Sequence, residues 1–300
     1  MMSSASVEQR IPASSARQER RAGLNLALIA GPYGLFLLAI LGAPVFILVA
    51  ISFSKHAPPA MWSSILSLEN YQRATEPFYL EMFVRTLRIA ILSTVASVIV
   101  GYPLAYFLAR SPRNVATIGM FLLVTPLMVS TVIRSFGWII ILGRNGLISQ
   151  AAQALGFEGP VRLLYTEFAV TLALTQIFLP LMVLPLVAAI ERIPVRVEEA
   201  AASLGSSPLS VFLQVIVPLS RAGLVSGCLL CFTTGISVVV TPALLGGRSV
   251  RMAGNFVYEQ VVTAFDWPLA ASLANVLAIL ALLSTAAALG LSPKTSSGRS

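Results

Sequence analysis

Residues 198–223 read EEAAASLGSSPLSVFLQVIVPLSRAG. The first half is polar and small-sided, with adjacent carboxylates at Glu198 and Glu199, a run of alanines and Gly205. The second half is apolar as far as Pro218. Upstream, Pro194 fixes its own φ and favours a fresh helix start. From there Val197, Ala201 and Leu204 recur on one helical face, Glu198, Ala202 and Ser206 on a second, and Glu199 and Ser203 on a third. The carboxylates sit in the first turn, where the helix dipole favours negative charge. Gly205 is predicted to end this helix, because glycine tolerates the left-handed conformation of a C-terminal cap. Ser207-Pro208 then starts a second short helix. The stretch therefore predicts a short helix–turn–helix whose small sides let it seat in a groove on another protein.

What flanks this elbow sets the fold class. Of 300 residues, 57% are hydrophobic and 11% charged, and the mean hydropathy is +0.86. A soluble domain carries roughly 25% charged residues. The charge-free intervals are Ala22–Ser54, Ile89–Ala109, Val115–Ile133, Phe168–Ile190, Ala222–Gly247 and Trp267–Pro293. Each reaches or nearly reaches the roughly 20 apolar residues that a spanning helix needs. Within hydrocarbon the backbone must satisfy its own hydrogen bonds, so these segments are predicted as helices. The expected fold is all-α, a polytopic membrane protein with six transmembrane helices. The third interval can extend past Arg134 to Leu142 as one long helix carrying a buried charge.

The first apolar interval is too long for a signal-peptide core, and no clean small-residue cleavage site follows it. It is read as an uncleaved first span. Residues 1–21 are predicted to form a disordered basic tail, 22–293 the membrane domain with the elbow at about 191–210, and 294–300 a short C-terminal tail. Arg10, Arg17, Arg20 and Arg21 precede span one, and Arg110 and Arg113 link spans two and three. Arg192 and Arg196 lie beside the elbow, and Lys294 and Arg299 follow span six. With six spans all of these fall on one side, which the positive-inside rule makes cytoplasmic, together with both termini. The net charge of +8 is then that of a membrane protein with basic cytoplasmic edges, with no need for nucleic acid as a partner.

Several chemistries are excluded. A phosphate-cradling P-loop ends in Gly-Lys-Ser/Thr, whereas the lysines here are Lys55, after Ser54, and Lys294, after Pro293. One histidine, His56, and two cysteines leave no zinc cluster. Cys228 and Cys231 fall one turn apart within span five and are read as packing residues. Catalytic and metal-binding residues are accordingly expected to be none.

The spacing within the elbow is specific. Glu199-Ala200-Ala201, three residues, Gly205, nine residues, then Val215-x-Val217-Pro218 resembles the EAA loop of ABC-importer permeases (EAA, three, G, nine, I-x-L-P). Valine stands where isoleucine and leucine are usual, which keeps the apolar face. The resemblance runs from about Leu68 to Ala271 and is similar to the spermidine/putrescine branch in several stretches. They are SLENYQRA (67–74), GYPLAYFLARSP (101–112), VIRSFGWIIILGRNGLIS (132–149), RLLYTEFAV (162–170), QIFLPLMVLPL (176–186), LLGGRSVRMAGN (244–255) and FDWPLAAS (265–272).

The resemblance implies a type I importer fold in the bacterial inner membrane, with Glu199, Ala200, Ala201, Gly205, Val215, Val217 and Pro218 coupling the chain to an ATPase. It implies as partners an ABC ATPase dimer, a second permease subunit, a periplasmic substrate-binding protein and membrane lipid. No cofactor is expected on this chain, ATP and Mg being held by the ATPase. The implied cargo is a polyamine such as putrescine or spermidine, with another small organic cation or an amino-acid-like solute as the alternative. An ion-coupled secondary transporter is the rival of another class, and it calls for carboxylates within spans that the six intervals lack.

Along the substrate path, Arg134 is a charge at membrane depth, either lining a cavity or pairing with a helix end or a carboxylate. Trp138 follows it by one turn on the same face. Glu259, Asp266 and Trp267 suit a cation, through carboxylate attraction and an aromatic face, or else belong to a wet loop. Gly223 and Gly227 form a small-xxx-small pair that predicts helix packing.

Overall fold

The computed structural model describes residues 32, 34, 36–57, 60–156 and 162–291. The predicted tails, 1–21 and 294–300, lie outside the described residues. The chain divides into two compact units, Met1–Ile51 and Ser52–Ser300. In the first, α1 (Phe36–Ser52) is apolar and shorter than the spans that follow.

The second unit opens with an antiparallel hairpin, β1 (Ser54–Ala57) and β2 (Ala60–Leu66). Beyond this hairpin the described residues are helical, as the apolar intervals require. A short α2 (Glu69–Ala74) precedes α3 (Pro77–Arg110), which has Pro77 at its start. It stops at Ser111, because the residue before Pro112 is driven out of the helical region. Then come α4 (Arg113–Met128), α5 (Thr131–Leu142), α6 (Leu147–Ala154) and α7 (Glu167–Glu191). Thr166 caps α7 by accepting from the Ala169 amide at 3.3 Å. The elbow comprises α8 (Val195–Ser203), α9 (Pro208–Val211), a wide π-helical turn (Phe212–Ile216) and α10 (Val217–Leu219). The chain continues with α11 (Arg221–Ser237), α12 (Val240–Leu245) and α13 (Ala253–Glu259). A second wide turn (Gln260–Ala264) leads to α14 (Trp267–Leu291).

Helices α3, α7 and α14 are each long and apolar enough to cross a membrane. Two bent pairs raise the number from three to five if each is one span: α4 with α5–α6, turned by 97°, and the segment Pro208–Leu219 with α11, turned by 73°. The first bend corrects the expectation of one long helix from Val115 to Leu142. Helix α4 ends at Met128, two residues after Pro126, with Val129 extended. Helix α5 starts afresh after Ser130.

The core is the triple contact of α3, α7 and α11. Ile89, Ala105, Leu174, Phe178, Met182 and Leu186 are fully or almost fully buried there. The glycines of α11 set the spacing. A Cβ at Gly223 would lie 2.6 Å from both the Ala189 Cβ and the Pro185 carbonyl oxygen, and one at Gly227 would lie 2.7 Å from the Met182 Sδ. The predicted small-xxx-small packing is therefore what joins α11 to α7. Cys231 is buried beside the Phe178 carbonyl, with Sγ 3.6 Å from that oxygen, and both cysteines are free thiols, consistent with a packing role.

Candidate functional site

Each predicted device of the elbow is present. Pro194 is the N-cap of α8, so the helix begins at Val195. At the far end Gly205 adopts φ +87°. Its amide donates to the Ala202 carbonyl at 2.9 Å, and the Ser206 amide donates to Ala201 at 3.2 Å. These paired bonds form a Schellman cap, which satisfies carbonyls that the helix end leaves open. Nothing lies within 4 Å of where a Gly205 Cβ would stand, so backbone conformation and not crowding asks for glycine here. Ser207 then caps α9 by accepting from the Ser210 amide at 3.3 Å, with Pro208 in the first turn.

Pro218 shapes the return to the bundle. It offers no amide, and the ladder before it widens: the Val217 amide reaches back five residues to Phe212. At the bend into α11, the Ser220 amide and hydroxyl both donate to the Ile216 carbonyl, at 2.9 and 2.6 Å. With the Ser220 proton thus used, the Tyr102 hydroxyl donates to the Ser220 oxygen.

The elbow's outer surface is open. Leu204 is 88% exposed and Leu209 67%, with Val195, Val197 and Leu213 also exposed. Glu199, Ala200 and Ala202 lie among them, exposed, while Ala201, Val215 and Val217 are half-buried and Pro218 is exposed. Among the described residues no side-chain partner is recorded for the Glu199 carboxylate, whereas its backbone carbonyl accepts from Ser203. Val195, Val197 and Leu204 belong to α8 and its cap, which form no part of a candidate span, whereas Leu209 and Leu213 lie on the first limb of the bent pair that continues into α11.

Sequence reasoning did not single out the residues that hold the elbow in place. Glu198, beside Glu199, faces inward. Its Oε1 accepts from the Arg110 Nε at 2.7 Å and its Oε2 from the Tyr106 hydroxyl at 2.7 Å. Arg110 also donates to the Ile193 carbonyl at 3.0 Å. The Arg110 and Glu198 side chains are 17% and 12% exposed, so the pair is largely desolvated and charge-assisted. One signal was available: Tyr106 and Arg110 are four residues apart and share a face of α3.

The residues considered for the substrate path are dispersed. Arg134 lies one turn into α5 and reaches back to the break, donating to the Val129 carbonyl and the Thr131 hydroxyl at 3.4 Å each. These contacts are to a helix end, one of the partners considered for it. Its Nε and other terminal nitrogen are buried without a hydrogen-bond partner. Trp138 donates to Gln176 on α7 at 2.8 Å. Glu259 is exposed at the end of α13. Asp266 is buried and already engaged. It caps α14 through the Leu269 amide at 3.1 Å, accepts from Arg73 at 3.3 Å and lies 3.8 Å from the His56 Nδ1. Trp267, half-buried, opens α14. Asp266 is thus part of a structural knot.

The sequence is similar to known transport proteins. The spermidine/putrescine transport system permease protein PotB of Escherichia coli K12 is 33% identical over 238 residues, which cover 79% of this chain and 86% of PotB. PotB of Haemophilus influenzae is 30% identical over 241 residues, covering 80% and 84% of the two chains. The inner membrane ABC transporter permease protein YdcU of E. coli is 30% identical over 231 residues, covering 73% and 74%. A chain in the crystal structure of a bacterial alginate ABC transporter, bound to an alginate pentasaccharide-loaded periplasmic protein, matches with a TM-score of 0.74. That match covers 95% of this chain and 99% of the other at 14% identity, a likeness of fold alone. No protein-family model matches the chain. On the strength of the identity to PotB across most of both sequences, the chain belongs to the permease family of ABC importers, in the branch of the spermidine/putrescine transport system permeases.

Proposed function

We propose that this chain is one half of the membrane pathway of a polyamine importer and that its elbow is the joint with the ATPase. The observation that carries the reading is the elbow itself. Its EAA–Gly spacing coincides with a short Schellman-capped helix that leaves Glu199, Ala200, Ala202 and Leu204 exposed. The cargo assignment draws on the relatives named for spermidine and putrescine transport.

In this reading the ATPase dimer holds ATP and Mg, a second permease completes the pathway, and a periplasmic binding protein delivers the solute. Both termini and the elbow face the cytoplasm, in keeping with the clustering of arginines at Arg110, Arg113, Arg192 and Arg196. When the ATPases close, α8 is displaced and the spans rock between outward and inward access. The chain supplies no bond-making chemistry. Its residues transmit force through α8 and shape the path.

Uptake of labelled putrescine and spermidine tests the cargo. It should vanish when the chain is deleted and return on complementation. Unchanged polyamine uptake, with loss of another solute's uptake, would keep the permease and discard the polyamine.

A further inference from the structure

Tyr102, Tyr106 and Arg110 are spaced four residues apart and form one stripe along the last turns of α3. Each member grips a different part of the elbow. Arg110 and Tyr106 hold Glu198 on the descending limb, and Arg110 also holds the Ile193 carbonyl just before it. The rings of Tyr106 and Tyr102 meet Phe212 edge-on, with centroids 5.4 and 5.2 Å away, on the ascending limb. Tyr102 is hydrogen-bonded to Ser220 at the bend itself.

The covalent links of the elbow to its own neighbours in sequence are looser. Between α7 and α8 the ladder is interrupted at Arg192–Pro194, and Pro194 has no amide with which to bridge the gap. Between α9 and α11 it is interrupted by the wide turn, by Pro218 and by the 73° bend at Ser220. At prolines, wide turns and bends the backbone ladder loses or shifts hydrogen bonds. The stiff connection runs instead through the desolvated ion pair and its hydroxyl partner on α3.

We infer that α3 is the arm of the importer: displacement of α8 reaches the bundle through the Tyr102–Tyr106–Arg110 stripe, with Arg110 and Glu198 as its positioning residues. The inference rests on the reading of the elbow as the ATPase joint. Arginine is needed because its planar fork serves Glu198 and the Ile193 carbonyl at once, which a lysine ammonium cannot do in that geometry.

The test uses the complete importer in proteoliposomes and measures solute taken up per ATP hydrolysed. Arg110→Gln and Glu198→Gln should each keep the ATPase bound and hydrolysing, while uptake per ATP falls by about tenfold or more. The double variant should lose no more than either single one, since the two act as a unit. Tyr106→Phe, which removes one hydroxyl, should show the same uncoupling more weakly. If Arg110→Gln does not accumulate in the membrane, Arg110→Lys keeps the charge without the fork and should uncouple in its place. Wild-type uptake per ATP in the variant that accumulates overturns the arm, as does loss of ATPase binding in step with uptake, which would make the pair a brace for the docking surface. Normal uptake in Arg110→Gln alongside lost uptake in Gly205→Val removes the arm and leaves the joint; normal uptake in both removes the joint as well.

Discussion

Two helices of this protein are lined by small residues, to opposite ends. On α11, Gly223 and Gly227 lie against α7 so closely that no side chain fits between them. On α8, Ala200 and Ala202 are exposed, as is Leu204 at its end. The first surface has its partner in the same chain. The second has none among the described residues, and its apolar neighbours are left in the open. Smallness therefore means close approach in both places, and what differs is whether the approaching partner is encoded in this sequence.

The largest effect expected from this contrast is on α11. Gly223→Leu drives a side chain into the Ala189 Cβ and the Pro185 carbonyl, and backbone atoms cannot yield as a flexible side chain does. Overpacking of this kind costs about 3 kcal/mol. The level of folded protein in the membrane should fall sharply, whether or not the ATPase is co-expressed. A normal level, measured by fluorescence-detected size exclusion of a tagged chain, would show that the α7–α11 contact is looser than drawn.

A small effect is expected on α8. Glu199→Ala removes an exposed carboxylate and no backbone constraint, so folding should change by no more than about 0.5 kcal/mol. Membrane abundance should be unchanged and uptake reduced only mildly. A loss of abundance as large as that from Gly223→Leu would show that the exposed Glu199 carboxylate is needed for folding and contradict the contrast.

The elbow was legible in the sequence because its devices are local. Pro194, Gly205 and Ser207-Pro208 each act within one turn of themselves, and each produced the start, cap or restart it predicts. Of the six expected spans, α3, α7 and α14 were legible as single helices, and two more if each bent pair is one span, because the bilayer demands long apolar runs. The break at Val129–Ser130 was not, because hydropathy reads apolarity along the chain and is blind to direction, even with Pro126 in view. Glu198 was not legible either, since Arg110 and Tyr106 come from a helix far away in sequence. Asp266 carries a structural role that its acidity did not reveal. Its acidity suggested a cation, whereas its position directly before Trp267-Pro268 is that of a helix cap.

The central claim, that the elbow is the joint with the ATPase, turns most directly on Gly205. Valine there must take a φ of +87°, at a cost of about 1–2 kcal/mol, although nothing among the described residues lies within 4 Å of where its Cβ would stand. The decisive measurement is co-purification of the ATPase with Gly205→Val, read alongside solute uptake and membrane abundance. Near-normal abundance, weakened ATPase binding and lost uptake are expected, with Gly205→Asn, which tolerates the left-handed conformation, closer to wild type. A Gly205→Val protein that keeps its ATPase and transports at the wild-type rate would contradict it.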